Sequence, residues 1–440
     1  SIPRRSWTAK TKYRDIRRPF ECMDSGHGFF LYIPCKRYGM QFYKWKENED
    51  FFATHPEWFS MNCDGKRVNT LQLCFSNRDM WRVALASLER FVANDRRQKA
   101  TGYPCIYDFS QMDNCPRLCQ CPACLEVVRK FDRKGGYKDG GDAGLQLQFV
   151  NRLAREVAKR YPDVFIRTFA YVSTEQPPKD LKPESNVVIW LCDLYSTSCH
   201  DLPLTHPFNA HRLELLRAWK KLAKRIQLWD YTLYGDGSSG DFPDIFVDAT
   251  VSDARTFRDL GIDRVYIENH DYLQPFYELN TYVQAEFMSD PDQDLEALLD
   301  DYCQVYGKGA AKMREAIDFL RDVIRTNPPK NEGAWHWRSL PWRTVETWER
   351  FVAICRAAYD IFLKLALPCK IVEDIMFQTM EISMMGPDDV LFMIINSGRT
   401  SNMIINAKYA KECGIKTVGI VGAKNSPLAN YLDAELNTCV

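Results

Sequence analysis

Seven apolar runs in the first two-thirds of the chain each end in polar, often acidic or aromatic, residues: GFFLYIP, TLQLCFSN, PCIYDFSQMD, VFIRTFAYVSTE, VVIWLCD, IQLWDY and RVYIEN. Between several of them lie stretches with apolar residues three and four apart, such as MWRVALASLERFVAN, LQLQFVNRLAREVAKRY, LELLRAWKKLAKR and SDARTFRDLG. β-Branched and aromatic runs alternating with amphipathic helical patterns specify a parallel sheet, because parallel neighbours need a crossover connection that a helix supplies. The strand candidates are Lys12–Ile16, Phe29–Pro34, Thr70–Ser76, Cys105–Ser110, Val164–Tyr171, Asn186–Asp193, Arg225–Tyr231 and Arg264–Asn269, eight in all. Repeats of this kind over about 250 residues predict an α/β fold closed as a (β/α)8 TIM-like barrel, here placed at residues 1–290. The first unit is thin, since RRPFECMDSGH is too short for a crossover helix and its turns.

Residues that follow apolar strands at this cadence gather on the carboxyl-end lip of a parallel sheet, where ligand chemistry is usually housed. The lip offers Asp113 just beyond the fourth strand, Asp230 closing the seventh and Glu268 closing the eighth, with Glu175 and Asp193 in reserve. Tyr171, Trp190, Trp229, Tyr231 and Tyr266 lie at or beside the same ends and suit the apolar face of a sugar ring. Strand alternation forbids Trp229 and Asp230 from both facing inward, so about half of these aromatics belong to the core. Each acid taken singly reads sooner as a structural carboxylate bound to an Arg or Tyr, and it is their convergence that points to chemistry. His200, His206 and His211 sit six and five residues apart in the loop after the sixth strand, which suits substrate contact by His200 better than metal ligation. The glycine-rich GGYKDGGDAG reads as a βα loop over the lip, with no phosphate-cradle signature.

With 58 basic and 58 acidic residues, the chain has no net field to draw in nucleic acid or an anionic membrane. No stretch reaches the roughly 20 apolar residues of a membrane helix, and SIPRRSWTAK lacks the apolar segment of a signal peptide. Most of the 16 cysteines are scattered singly through apolar runs, as in reduced cytoplasmic proteins. Cys115, Cys119, Cys121 and Cys124 differ, forming C-x3-C-x-C-x2-C in NCPRLCQCPACLE. No cofactor is required by the pattern; the group reads as a reduced or disulfide-stapled loop, with a structural zinc site as the alternative. After the barrel, two long amphipathic helices joined by a connector bearing Trp335, Trp337 and Trp342 predict a helical cap at residues 291–364.

HPEWF, DGKR, QLCFSN, DNCPRLCQCPAC, FVNRLAREVAKRYPD, TFAYVSTEQPP and NTYVQAEFMSDPDQD, in that order, resemble a widespread bacterial domain family grouped with TIM-barrel glycoside hydrolases, near the alpha-glucuronidases and beta-hexosaminidases. The resemblance runs over roughly residues 10–325. It implies a barrel acting on carbohydrate, with Asp113 matching the acid that the family carries just before its cysteines.

The last 75 residues change character. They read as a strand at Val390–Ile395, an SGRT turn, a helix at Met403–Cys413, a strand at Thr417–Gly422, a short helix and a final strand. Residues 365–440 thus predict a βαβ unit. Ser397, Gly398 and Thr400, where strand gives way to helix, are candidates to grip a phosphate. DDV, SGRT, AKYAKECG and NSPLANYLDAEL resemble the sugar isomerase (SIS) domain of sugar-phosphate-responsive bacterial regulators. The resemblance assigns Ser397 and Thr400 to phosphosugar binding, whereas Ile395 replaces the family's preceding serine. The segment reads as a partial domain whose open sheet edge and apolar face must dock on the barrel or on a second copy, giving a homo-oligomer, or stay unstable. Three functions stay open: a glycoside hydrolase, a non-catalytic carbohydrate binder, and a sugar-phosphate sensor built on the tail.

Overall fold

The computed structural model describes residues 26–36, 50–97, 106–113, 117–131, 141–192, 202–233, 245–262, 264–269, 276–327, 341–363, 382, 385–386, 389–395, 401–422 and 425–437. The chain divides into two compact units, one over residues 6–358 and a second over residues 359–440. Among the described residues, no helix is long and apolar enough to cross a membrane.

The first unit is built on a parallel sheet whose strands lie side by side in chain order: β1 (Ile106–Asp108), β2 (Phe165–Ala170), β3 (Val187–Cys192), β4 (Ile226–Leu233) and β5 (Arg264–Asn269). These are five of the eight strand candidates. Register pairs Asp108 with Arg167, Phe169 with Trp190, and Trp229 with Tyr266, so one face carries the series Arg167, Phe169, Trp190, Gln227, Trp229 and Tyr266. The other face packs on the crossover helices, α3 (Arg78–Arg97) before β1, α4 (Pro122–Phe131) and α5 (Ala143–Arg160) before β2, α6 (Ala210–Leu222) before β4, and α7 (Val247–Asp259) before β5. Val150, Leu153, Ala154 and Val157 of α5 and Leu215, Leu216 and Trp219 of α6 are buried there, at the three-to-four spacing expected of a core-facing stripe. At Gly144 an added Cβ would fall 2.2 Å from the Cβ of Phe131, so the close approach of α5 to α4 requires glycine.

A closed ring of eight strands is not formed by the predicted segments. Residues 29–34 were expected as a strand, but Phe29–Tyr32 is a single helical turn, α1, in which all four side chains are buried, and a second turn, α2, follows at Phe51–Thr54. A run that is apolar on every side carries no period, so its pattern cannot separate a strand from a buried helix. Phe29 N donates to Ser110 O at 3.2 Å, so this turn rather than a further strand lies against the chain leaving β1. Residues 70–76 are also not a strand: only Leu73 makes a bridge, antiparallel to Phe59. The candidate at residues 12–16 lies outside the described residues.

The helices expected as a cap packing on the barrel share an apolar cluster with the sheet unit's own helices. Ile317 and Leu320 of α10 (Ala310–Thr326), Leu299 of α9 (Leu295–Gln304) and Phe351 of α11 (Val345–Leu363) share an apolar cluster with Val251 of α7 and Val283 and Phe287 of α8 (Tyr277–Ser289). Trp342, in the connector between these helices, is buried against Leu202 and Ile324 and so is a packing residue. Over this cluster Arg321 bridges Asp248 at 2.7 Å, Glu296 at 2.9 Å and Asp318 at 3.2 Å. The carboxylates are about half exposed, so Arg321→Ala is expected to cost only ~1 kcal/mol in denaturant unfolding. Hydrogen bonding to Arg321 holds Glu296 below its ordinary carboxylate range. Its contribution is therefore present above the unfolded carboxylate's pKa and fades as pH falls through the lowered folded value. Arg321→Ala should flatten that acid limb, and an unchanged slope in the variant would refute the coupling.

In the second unit β6 (Val390–Ile395), β7 (Lys416–Val421) and β8 (Ala434–Asn437) form a parallel sheet in that order, with α12 (Ser401–Glu412) between the first two. The order of elements is the one read from the sequence. Met393, Ala407, Val421 and Leu428 make its core, whereas Phe392 and Ile394, on the opposite face of β6, are 63% and 72% exposed. Ser397, Gly398 and Thr400 lie outside the described residues.

Candidate functional site

The interior face of the five-stranded sheet is stacked in two layers. The lower layer is polar: Arg167 Nε donates to Asp108 Oδ2 at 2.8 Å and Arg167 Nη1 to Gln227 Oε1 at 3.2 Å, both acceptors being buried. The guanidinium lies 3.7 Å from the centroid of the Trp190 ring, a cation–π contact that roofs the ion pair. Burial pushes the Asp108 carboxyl above its ordinary range against the opposing pull of Arg167. The upper layer is aromatic. Phe169, Trp190 and Trp229 meet at centroid separations of 5.0 to 5.7 Å, and Tyr266 stands edge-on to Trp229 at 4.6 Å.

Above this floor, at the carboxyl ends of β1 and β2, a set of polar side chains converges. The Tyr171 hydroxyl donates to Asp113 Oδ1 at 2.9 Å, and the Asp113 carboxylate is exposed. Tyr171 is itself fixed from behind: Gln111 Nε2 donates to Tyr171 O at 2.7 Å and to Thr174 Oγ1 at 3.0 Å, while Tyr171 N donates to Thr174 Oγ1 at 3.0 Å. His27 joins from the other side, its Nδ1 lying 2.6 Å from Gln111 O and its ring 5.0 Å from that of Phe169. A carbonyl oxygen only accepts, so Nδ1 carries the proton in this contact. His27 has a φ of 57° and follows Gly26, where an added Cβ would sit 2.0 Å from Phe169 Cζ. A non-glycine residue held in the left-handed region beside a tight approach is the kind of strained position that collects at binding sites.

The other expected site residues fall in different places. Asp230 is buried, on the side of β4 opposite Trp229, where Arg212 Nη2 donates to its Oδ1 at 2.6 Å and Arg212 Nη1 lies 3.8 Å from Asp253. That is a departure from its expected position at the lip: alternation gave the inward place to Trp229, and the acid went to the helix layer. Glu175 is 3% exposed, its carbonyl accepting from Trp219 Nε1 at 2.6 Å. Trp229 and Tyr231 are buried like Tyr171, while Tyr266, 38% exposed, is the aromatic candidate most open to solvent among those described. Glu268 occupies the fifth position of β5, but its side chain lies outside the described residues, as do Asp193 and His200.

Three of the four cysteines in the sequence cluster come together, with a different fourth. The sulfurs of Cys74, Cys119, Cys121 and Cys124 lie within 4.8 Å of one another, all buried, while Cys115 lies outside the described residues. Cys74, read from the sequence as a plain core residue, comes from the chain just before α3, and Cys121 and Cys124 flank the start of α4. Bonding with Cys119, reinforced by Cys124 and Ser76, brings the Cys74 thiol down to about 6. Bonds with Cys119, Cys124 and Cys74 lower Cys121, whereas Cys119 is pushed up chiefly by Cys121 and Cys124 chiefly by Cys119. Arg67 Nη1 donates to Phe59 O at 2.7 Å and reaches Cys119 Sγ at 3.6 Å.

His27, Gln111, Thr174, Arg167 and Cys74 escaped the sequence reading. Only Arg167 left a signal, a charge in the middle of the apolar strand VFIRTFAYV.

Comparison with known proteins gives two family matches. The model of a domain of unknown function, DUF4838, matches residues 5–318, and that of the SIS domain matches residues 353–439. The HTH-type transcriptional regulator RpiR of Escherichia coli K12, and the same regulator of Escherichia coli O6:H1, are 31% identical to this chain over 81 residues, 18% of this chain and 27% of theirs. The chain thus spans about a quarter of the length of these curated relatives. Among solved structures, the Vibrio vulnificus NanR protein complexed with ManNAc-6P is similar at 18% identity and a TM-score of 0.19, covering 42% of this chain and 61% of that one.

Proposed function

The chain belongs, through residues 5–318, to the DUF4838 family, and from that membership and the geometry of the lip we propose that it is a carbohydrate-directed protein whose first unit is a glycoside hydrolase. The observation that carries the reading is the Asp113 carboxylate held by the Tyr171 phenol at the carboxyl ends of β1 and β2, over an aromatic floor. Parallel strands following one another in chain order are the arrangement of consecutive units in a TIM-type barrel, where such ends hold the active site.

Glycoside hydrolysis passes through an oxocarbenium-like transition state and needs two carboxyl groups, one to protonate the leaving oxygen and one to act as base or nucleophile. Asp113 is one. Glu268, near the end of β5, is proposed as the other, with Asp193 in reserve. Tyr171 fixes one Asp113 oxygen, Gln111 and Thr174 hold Tyr171 in place, and Tyr266 and His27 offer a ring edge and an imidazole at the rim. Restraint of this kind from supporting residues is what a catalytic carboxylate requires. Asp230 has no part in this reading. The cytoplasm is the compartment proposed, because four packed thiols need reducing conditions to persist.

A panel of aryl glycosides and aryl uronides tests the proposal on the full chain. Turnover of at least one class supports it. Sugar-induced thermal stabilisation without turnover would make the first unit a binder, and neither turnover nor stabilisation across the panel would sink the carbohydrate reading.

A second reading concerns the tail. The chain carries a SIS domain at residues 353–439, and the 31% identity to RpiR falls on a stretch of only 81 residues. We propose that Ser397, Gly398 and Thr400 bind the phosphate of a sugar phosphate. Hexose and amino-sugar phosphates should raise the melting temperature of the wild type but not of Ser397→Ala/Thr400→Ala. Equal shifts in both proteins, or none in either, would remove this reading.

A further inference from the structure

We propose that Cys74, Cys119, Cys121 and Cys124 form a closed tetrathiolate zinc site that ties the chain before α3 to the loop following β1.

The argument is geometric. Zinc bound by four thiolates sits at the centre of a sulfur tetrahedron with Zn–S bonds of about 2.3 Å. Multiplying that bond length by the edge-to-radius ratio of a tetrahedron gives S···S separations of about 3.8 Å. Cys74 Sγ lies 3.7 Å from Cys121 Sγ and 3.9 Å from Cys124 Sγ, and all four sulfurs fall within 4.8 Å. A disulfide would need about 2.05 Å, and each of these cysteines is free. Four sulfurs within 4.8 Å of one another, two of their separations at the edge length of a zinc tetrahedron and the ligands drawn from two remote stretches of chain, go beyond what packing of thiols demands.

The surroundings fit the charge that such a site would carry. Four thiolates around a divalent cation leave a net charge of about −2. Arg67 reaches Cys119 Sγ, the Met61 backbone N–H donates to Cys119 Sγ at 3.3 Å, and the Ser76 hydroxyl lies 3.1 Å from Cys124 Sγ and 3.6 Å from Cys121 Sγ. Cys121 immediately precedes α4 and Cys124 is in its first turn, where the unpaired N–H groups and the helix dipole favour thiolate. Donors to the sulfurs are the supporting contacts that hold metal ligands in place. Four protein ligands leave no position for water, so the site is structural rather than catalytic.

The knot has a consequence for the lip. The loop it gathers is held on its other side by Asp142, which accepts from Arg117 Nε and Nη2 at 3.0 Å each and from Leu118 N at 2.8 Å. Asp113 precedes Arg117 by four positions. Zinc would thus anchor the segment that presents Asp113.

Elemental analysis of the full chain, purified without chelator from zinc-supplemented medium, should find about one zinc per chain. Cobalt substituted for it should give thiolate charge-transfer bands in the near ultraviolet and intense tetrahedral d–d bands. Cys74→Ser should lose most of the metal, and Cys115→Ser and Cys63→Ser should retain it. Since Cys74→Ser could misfold, the cobalt spectrum of the wild type stands as the independent readout. A metal-free wild type that acquires no tetrahedral cobalt spectrum would overturn the proposal. So would metal that survives Cys74→Ser and is lost in Cys115→Ser. The zinc readouts need no sugar substrate, so their failure is separable from failure of the hydrolase reading.

Discussion

Asp113→Asn is expected to lower the turnover of any glycoside that the first unit cleaves by ~10²–10⁴-fold, the range of a positioned acid or base. Asparagine keeps the size of the side chain and a carbonyl oxygen that can still accept from the Tyr171 hydroxyl, so local structure should survive. What is removed is the carboxyl's ability to take or give a proton, or to attack. The loss should therefore fall on kcat and kcat/KM together, the mark of an interaction made in the transition state. Tyr171→Phe separates positioning from chemistry. It deletes one hydrogen bond at 2.9 Å while keeping a ring of the same shape. A drop of about tenfold is expected, the size of one hydrogen bond to a charged group, with an altered pH profile as the sign that the phenol acts through Asp113. Turnover unchanged in Asp113→Asn would end the assignment of this residue, whatever the fate of the fold.

What could be read from the sequence divides along a physical line. Strands β1 to β5 were legible because each is a short run rich in β-branched and aromatic residues bounded by turn residues, with amphipathic helical stretches between most of them. The tail was legible for the same reason: its strand, helix and strand are neighbours in the chain, and each carries its own pattern. Phe29–Tyr32 was misread because its four side chains are all buried, which erases the period that distinguishes a helix from a strand. The site was half legible. Asp113 announced itself by following a strand, but its partner Tyr171 is held by the Gln111 amide and the Thr174 hydroxyl, and Gln111 in turn by a loop histidine 84 positions away, and none of these leaves a trace in spacing. The cysteine cluster shows the same limit. Spacing rules see Cys119, Cys121 and Cys124, whereas Cys74 is brought in by the fold from 47 residues before Cys121.

Asp230 provides the sharpest contrast between sequence position and physical role, and Arg212 is where to test it. Arg212, Asp230 and Asp253 are 3%, 1% and 4% exposed in their side chains. Asp230 Oδ1 also accepts from Tyr231 N at 2.9 Å, and Asp253 Oδ1 from Leu204 N at 2.6 Å. The cation is thus shared by two buried acids that stitch α6 to β4 and α7. Arg212→Ala would leave both carboxylates in a low-dielectric setting without it, and a broken buried pair costs ~3–5 kcal/mol. Denaturant unfolding of the first unit should show a loss of this size. Arg212→Lys should recover only part of it, since an ammonium cannot reproduce the planar fork that spans two acceptors. Asp230→Asn asks the complementary question. It leaves Arg212 with Asp253 and should cost ~1–3 kcal/mol, yet turnover per folded molecule should stay near that of the wild type because the side chain faces the helix layer. A stable Asp230→Asn protein with turnover abolished would put this carboxylate back among the catalytic groups, and would mean that the acid pair meets on the opposite side of β4 from the aromatic floor.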